Sequence, residues 1–182
     1  MMENKLIVIS GPSGVGKGTI VKELLKRGNF ALSISCTTRA PREREENGKD
    51  YFFISREEFE KKIKENGFLE YSEHFKNYYG TPLEFVKEKL KTSNVILEIE
   101  VDGALNAKKA YPKALLLFIM PPSVEELRRR LLMRGTESAE KIDERLSRME
   151  YELSKRGSYD YTIVNDSLNK AVQDIMTIIK EV

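Results

Sequence analysis

The 182 residues carry 31 Lys and Arg against 29 Asp and Glu, a formal net charge of +2, so no bulk field directs the chain to nucleic acid or to an anionic membrane. One domain with a sizeable core fits this length, and no linker or repeat marks out a second. The single cysteine, Cys36, excludes an internal disulfide and fits a reducing compartment.

Residues 1–5 are polar and the apolar run after them is only one strand long, unlike a secretion signal. The longest apolar run, 114–120, is too short to span a bilayer. A cytoplasmic protein is expected, with no membrane partner and no obligate protein partner implied.

In chain order, the β-branched run at 5–10 reads as a buried strand. It leads into Ser10-Gly11-Pro12-Ser13-Gly14-Val15-Gly16-Lys17-Gly18-Thr19. A helix follows, with Ile20, Val21, Leu24 and Leu25 on one stripe. Strand, glycine turn and helix form a phosphate-binding loop: its N–H groups turn inward, and the helix start adds partial positive charge. Lys17 is placed to reach β- and γ-phosphates. The general motif has Ser or Thr directly after the lysine; here Gly18 stands there and Thr19 follows.

Further buried strands are expected at 31–35, 95–100, 115–120 and 161–164, with helices between most of them. Such alternation predicts a parallel sheet covered on both faces. Glu98 and Glu100 would then share a strand face. Two stretches break the alternation. Residues 37–79 are polar, arginine-rich at the start and aromatic throughout, with one short helix opened by a Ser55…Glu58 capping box and closed near Gly67. Residues 123–157 carry two arginine-rich helices. Ser123…Glu126 is a second capping box, Leu127 and Leu131 share a face, and Ile142, Leu146, Met149 and Leu153 form an inward stripe. Arg134-Gly135-Thr136 reads as a hinge. Thr81…Glu84 is a third capping box, with Pro82 at the first helical position, and Asp166 can cap the last helix, whose apolar positions include Leu168, Val172, Ile175, Ile178 and Ile179.

Taken together these stretches resemble the guanylate kinase family, which moves a phosphoryl group from ATP to GMP. The resemblance rests on an ordered set: the loop at 11–19, Ser35-Cys36-Thr37-Thr38-Arg39-Ala40-Pro41-Arg42, the segment from Asn47 to Phe53, and Glu70-Tyr71. The set continues through Asn77-Tyr78-Tyr79-Gly80-Thr81-Pro82, the segment from Leu97 to Gly103, Arg134 to Ser138, and Tyr159 to Asp166. Gly18-Thr19 is a variant that the family itself uses.

The resemblance implies a P-loop α/β three-layer sandwich with a central five-stranded parallel sheet. It also implies a single domain over 1–182, with core 1–34, 82–122 and 158–182, a GMP-binding region at 35–81 and a helical lid at 123–157. Its substrates are ATP, with Mg²⁺ as cofactor, and GMP or dGMP. ATP would be held by Gly11, Pro12, Ser13, Gly14, Val15, Gly16, Lys17, Gly18 and Thr19, by Arg130, and at the adenine by Asn165.

A nucleoside monophosphate is a near-dianion, so its binder needs forked cations, which Arg39 and Arg42 supply. Tyr51 and Tyr79 add neutral hydroxyl donors. Guanine presents two adjacent donors that one carboxylate accepts together, whereas adenine presents an acceptor there. By resemblance Glu70 is that carboxylate, Glu100 a second, and Ser35 and Thr81 serve the remaining edge; such a site discriminates by roughly 10⁴-fold. Family members commonly read Asp-x-Gln-Gly where this chain has Glu100-Val101-Asp102-Gly103. Glu100 is one methylene longer, and Asp102 adds a charge.

The acceptor phosphate has a second pKa near about 6 and needs no catalytic base, so the lone His74 reads as a surface residue and Cys36 as a packing residue. Transfer between two anions calls for cations and positioning: Lys17, Arg39, Arg134, Arg145 and Arg148 are the candidates. Arg128, Arg129 and Arg156 read as solvated. No direct metal ligand is marked, and Thr19, Glu98 and Glu100 are the residues that could meet Mg²⁺ through water. Two other readings carry the same fold: a catalytically inactive interaction module, or a kinase for another small phosphate ester.

Overall fold

Residues Leu6–Ser10 form strand β1, and all five are buried, as a continuous aliphatic run requires when both faces of a strand are covered. In chain order there follow α1 (Lys17–Arg27), β2 (Phe30–Leu32), β3 (Cys36–Thr37), β4 (Phe52–Phe53), α2 (Arg56–Lys64), β5 (Phe68–His74), β6 (Asn77–Pro82) and α3 (Leu83–Leu90). Then come β7 (Asn94–Glu98), α4 (Val101–Ala110), β8 (Leu115–Met120), α5 (Val124–Met133), α6 (Ala139–Ser154), a 3-10 turn at Arg156–Ser158, β9 (Tyr161–Val164) and α7 (Leu168–Glu181). The computed structural model describes residues 4–74, 76–133 and 139–182. The class is α/β: one parallel sheet has the strand order β2–β7–β1–β8–β9, and a second, four-stranded sheet the order β4–β3–β6–β5. The chain falls into two compact units, Met1–Val8 with Asn29–Leu115, and Ile9–Gly28 with Leu116–Val182.

In the first unit β2 pairs in parallel with β7, from Phe30 opposite Asn94 to Leu32 opposite Ile96. The strand predicted at 31–35 is therefore shorter and starts one residue earlier. The strand predicted at 95–100 ends at Glu98. Glu100 stands outside it as the N-cap of α4, where its carboxylate accepts the Asp102 and Gly103 N–H groups. Glu98 and Glu100 accordingly do not share a strand face. A carboxylate at a helix start satisfies donors that the helix itself cannot, and that ends the strand.

The aromatic stretch holds more than the one predicted helix. β5 and β6 form an antiparallel hairpin with a register shift between Phe68 and Glu70. β3 continues the sheet antiparallel to β6, and β4 pairs in parallel with β3. The predicted helix is α2, and its capping box forms in both directions between Ser55 and Glu58. Buried Phe59 stacks on Phe68 at 4.4 Å and on Tyr78 at 5.0 Å, which locks α2 onto the hairpin. The capping box predicted at Thr81 does not form. Pro82 is the N-cap of α3 without a side-chain bond, because the Thr81 hydroxyl is turned to Glu70.

In the second unit β8 and β9 pair in parallel, Leu117 opposite Tyr161 through Met120 opposite Val164; both match their predicted bounds. α1 packs on α7, bringing Ile20, Val21 and Leu24 to Ala171, Val172, Ile175 and Ile179 as the buried faces. The N-cap of α7 is Ser167, again without a side-chain bond, and not Asp166. The Ser123 hydroxyl accepts the Glu126 N–H at 3.1 Å and starts α5. Leu127 of α5 packs with Met149 and Leu153 of α6, as the inward stripe predicted. The Arg134-Gly135-Thr136 hinge and the side chains of Leu131, Ile142 and Leu146 lie outside the described residues. Among the described residues no helix is long and apolar enough to cross a membrane.

Candidate active site

The second unit carries the phosphate loop. It turns into α1 at Gly16, whose backbone lies in the left-handed region (φ 98°, ψ 19°) that disfavours a side chain. Gly16 offers no side chain to cap α1, and the first turn contains no acidic residue. Donors at the helix start and its partial positive charge are left for an anion. The Lys17 ammonium folds back over the loop and donates to the carbonyls of Gly11 at 2.6 Å and Pro12 at 3.0 Å. Ser13, Gly14 and Gly18 are half-buried and Thr19 is exposed on the first turn. Asn165, directly after β9, is buried and its carboxamide nitrogen donates to the Val15 carbonyl at 2.8 Å.

The first unit gathers the candidate acceptor residues on its small sheet. The β5–β6 register sets Glu70 opposite Thr81 and Ser72 opposite Tyr79. Residues two apart share a strand face and are separated by about 7 Å, so Glu70 and Thr81 stand at one point of this face and Ser72 and Tyr79 at the next. Thr81 is fully buried and Glu70 is 6% exposed; the Thr81 hydroxyl donates to Glu70 Oε1 at 2.6 Å. A Cβ on Gly103 would stand 2.9 Å from Glu70 Oε2 and 3.1 Å from Glu100 Oε1, so α4 brings the two carboxylates together over a residue without a side chain. Burial, with the Glu100 charge added to it, raises the Glu70 carboxyl to about 8 against the pull of the Thr81 bond.

Glu100 is more heavily engaged than its sequence position indicates. Its Oε1 accepts the Ser72 hydroxyl at 2.5 Å and the Gly103 N–H at 2.8 Å, and its Oε2 accepts the Asp102 N–H at 2.8 Å. Ser72 was not among the expected site residues; it lies two residues beyond Glu70 on the same strand face, and that spacing is the only signal for it.

Arg39, Tyr51 and Tyr79 do come together. The Tyr51 and Tyr79 rings meet edge to face at 6.1 Å, and the Arg39 guanidinium lies 5.5 Å from the Tyr51 ring centre and 5.9 Å from that of Phe53. Burial, with the nearby Tyr79 hydroxyl, pushes the Tyr51 hydroxyl up and keeps it a donor. The structure adds Glu45, which the sequence reading passed over. Both its oxygens accept from Arg39 Nη2, at 2.8 and 2.9 Å, and Oε2 also accepts the Arg42 N–H at 2.8 Å. Burial works to raise the Glu45 carboxyl, but the bonds from Arg39 and Arg42 hold it below the ordinary range.

The Arg42 side chain is exposed, Ser35 is buried, and the Ser35 carbonyl accepts the Phe52 N–H at 2.9 Å. His74 is half-buried rather than a surface residue, its ring 6.2 Å from Tyr79. Cys36 is buried, and burial raises its thiol, in keeping with a packing role. On α6, Arg148 Nε lies 3.5 Å from the buried Glu152 carboxylate. Arg134 and the side chains of Arg128, Arg130 and Arg145 lie outside the described residues.

Comparison with known proteins bears on the family and the fold. The family model described as guanylate kinase matches residues 3–182. A guanylate kinase of Clostridium tetani is 52% identical over 180 residues, covering 98% of this chain and 86% of the relative. One of Thermus thermophilus is 48% identical over 179 residues, covering 98% and 81%. The crystal structure of guanylate kinase from Anaplasma phagocytophilum superposes with a TM-score of 0.81 at 34% identity, covering 98% of this chain and 85% of that one. With the glycine loop, the aromatic sheet and its buried carboxylate all present within the matched span, the chain belongs to the guanylate kinase family.

Proposed function

We infer that this chain is an ATP:GMP phosphotransferase, moving the γ-phosphoryl group of ATP to GMP and giving ADP and GDP. The observation that carries this is the near-complete match, at about half identity, to relatives that are guanylate kinases. An inactive interaction module is not favoured, since the glycine loop and Lys17 are intact; nor is a kinase for a different phosphate ester.

The roles follow from the chemistry of the residues. The loop from Gly11 to Thr19 cradles the ATP phosphates with backbone N–H groups, and Lys17 leaves its two carbonyl partners to meet the β- and γ-oxygens. Arg39 and Arg42, with the hydroxyls of Tyr51 and Tyr79, take the GMP phosphate. Glu70 accepts the two adjacent guanine donors, with Thr81 and Ser35 beside it and Glu100 as the second carboxylate. Arg134, Arg145 and Arg148 neutralise the transferring group, Arg130 the ATP phosphates, and Asn165 the adenine end. The acceptor oxygen is already anionic, so the protein supplies charge and alignment and no base. dGMP is a second acceptor, and the setting is the cytoplasm.

Kinases acting on ATP generally need Mg²⁺. Among the described residues no three His, Cys, Asp or Glu side chains are grouped to hold a metal. Mg²⁺ is commonly carried by substrate phosphate oxygens and water with one or two protein groups. The Thr19 hydroxyl is the residue that would meet it, with Glu98, and Glu100 less readily, through water. Bound there, the ion supplies charge neutralisation at the phosphates.

The test is coupled ADP release with ATP and Mg²⁺, comparing GMP, dGMP, AMP, UMP and no acceptor. Rapid turnover with GMP, slower with dGMP and near background for the rest is expected; equal rates with AMP would remove the base-recognition reading.

A further inference from the structure

Both ends of the phosphate loop are clasped by strand ends of its own unit. Gly11 opens the loop flat against β8: a Cβ there would stand 2.2 Å from the Ile119 carbonyl oxygen. Val15 and Gly16 close the loop against Asn165, whose carboxamide nitrogen donates to the Val15 carbonyl at 2.8 Å and would stand 2.6 Å from a Cβ on Gly16. Asn165 is 7% exposed, and its backbone N–H is fixed to the Met120 carbonyl at 2.8 Å. A carbonyl can only accept, so the carboxamide must present its nitrogen to Val15.

The consequence falls on the loop. The Val15–Gly16 peptide is planar and trans, so its C=O and N–H point in opposite directions. Holding the Val15 carbonyl toward Asn165 directs the Gly16 N–H away from Asn165 and leaves it to an incoming phosphate. It also pins Gly16 in the left-handed turn from which α1 begins. A loop that cradles phosphate with fixed amides loses little on reorganisation.

We propose that Asn165 is a positioning residue for the triphosphate, a latch from the end of β9 that holds the Val15–Gly16 peptide in its phosphate-binding orientation. This is separate from any contact with adenine and rests on the reading that the loop holds ATP phosphates.

Asn165→Leu tests it, because the shape is nearly kept while the donor facing Val15 is removed without adding charge. Three quantities are measured on the full chain: the dissociation constant of ATP, the inhibition constant of inorganic tripolyphosphate against ATP, and the dissociation constant of GMP. The first two are expected to weaken by the same factor, about tenfold, and the third to stay nearly unchanged; the melting temperature falls by a few degrees, because a buried acceptor is left without its donor. If Asn165→Leu fails to fold, Asn165→Ala gives the same comparison. Loss of ATP affinity with tripolyphosphate unaffected would make Asn165 a base contact only and overturn the latch, as would no loss for either ligand. Equal weakening of GMP would mean general loosening of the fold and also overturn it. Tripolyphosphate that does not compete with ATP in the unaltered protein would instead bring down the loop reading itself.

Discussion

The Thr81 hydroxyl donates to Glu70 Oε1 at 2.6 Å, and the carboxyl it reaches is raised to about 8 by burial and by the neighbouring Glu100 charge. A raised carboxyl makes the folded state favour the protonated form. Its contribution to stability is fully present below the unfolded value near 4.5 and is lost as pH rises through about 8. Melting followed from pH 5 to pH 8.5 is therefore expected to show the unaltered protein falling relative to Glu70→Gln by about 5 °C or more, levelling above pH 8. Parallel curves for the two proteins would show that Glu70 ionises at an ordinary pH.

The same group ties GMP binding to proton release. Guanine, as proposed, offers two donors to Glu70, which favours the ionised carboxylate, whereas the free protein near pH 7 holds it protonated. Binding should then release about one proton from Glu70 at pH 7 and less as pH passes 8. Calorimetry in buffers of different ionisation enthalpy measures this, and the difference between the unaltered protein and Glu70→Gln removes the contribution of the GMP phosphate. Equal proton release by both proteins would place the guanine donors elsewhere.

Glu100 caps α4 and is braced by Ser72. Removing an N-cap side chain costs about 1 kcal/mol, so Glu100→Ala should lower the denaturation midpoint by a corresponding amount even without nucleotide. A carboxylate with both oxygens engaged has less to give the base, so GMP-over-AMP selectivity should fall less for Glu100→Ala than for Glu70→Gln. Ser72→Ala should shift the GMP KM several-fold while leaving the cap in place. A Glu100→Ala protein as stable as the parent but stripped of selectivity would reverse this assignment.

Legibility differed by region for a physical reason. Strand β8 is legible because nearly all of it is buried and reads as an apolar run, so 115–120 came out at its true bounds. Residues 161–164 also came out at their bounds, although only Ile163 of β9 is buried and its β-branched run rather than burial marks it. β5 is different. Its buried positions include Glu70 and Ser72, while Tyr71 is exposed. That alternation is inverted because the inner face of the strand is a polar site and not a core, so period-2 hydrophobicity cannot reveal it. Thr81 misled in the same way: a hydroxyl three residues before Glu84 has capping-box spacing, but a buried carboxylate across the hairpin took its bond. Glu45 was invisible because its partner Arg39 is six residues away, a spacing no helix or strand periodicity marks. Glu70, Arg39 and Tyr79 themselves became legible only through family resemblance.

If GMP binds at Arg39 as proposed, Glu45 sets the charge that its phosphate meets. Arg39 and Glu45 are each less than a fifth exposed in their side chains, so the pair is screened less than a surface pair. Glu45→Gln keeps an oxygen for Arg39 while removing one negative charge beside the phosphate. The GMP KM should fall by about threefold to tenfold at low salt and approach the parent value as salt is added. A rise in KM instead would mean that the carboxylate is needed to aim Arg39 and that orientation outweighs charge.

Lys17 is held in readiness by the carbonyls of Gly11 and Pro12. These contacts lie within the loop, and Lys17 is half-buried and not one of the core residues, so Lys17→Ala leaves the apolar core in place. The stability cost should be about 1 kcal/mol or less, in the range of an ordinary hydrogen bond. The cost to transfer is of another order, since a cation at the β- and γ-phosphates acts where charge develops: kcat/KM should fall by about 10²-fold or more. Lys17→Arg keeps the charge but spreads it over a planar fork that cannot act as a point donor at that spot, so it should recover stability without recovering the rate. A Lys17→Arg protein with near-parent turnover would show that charge alone, and not its compact placement over the loop, is what the reaction requires.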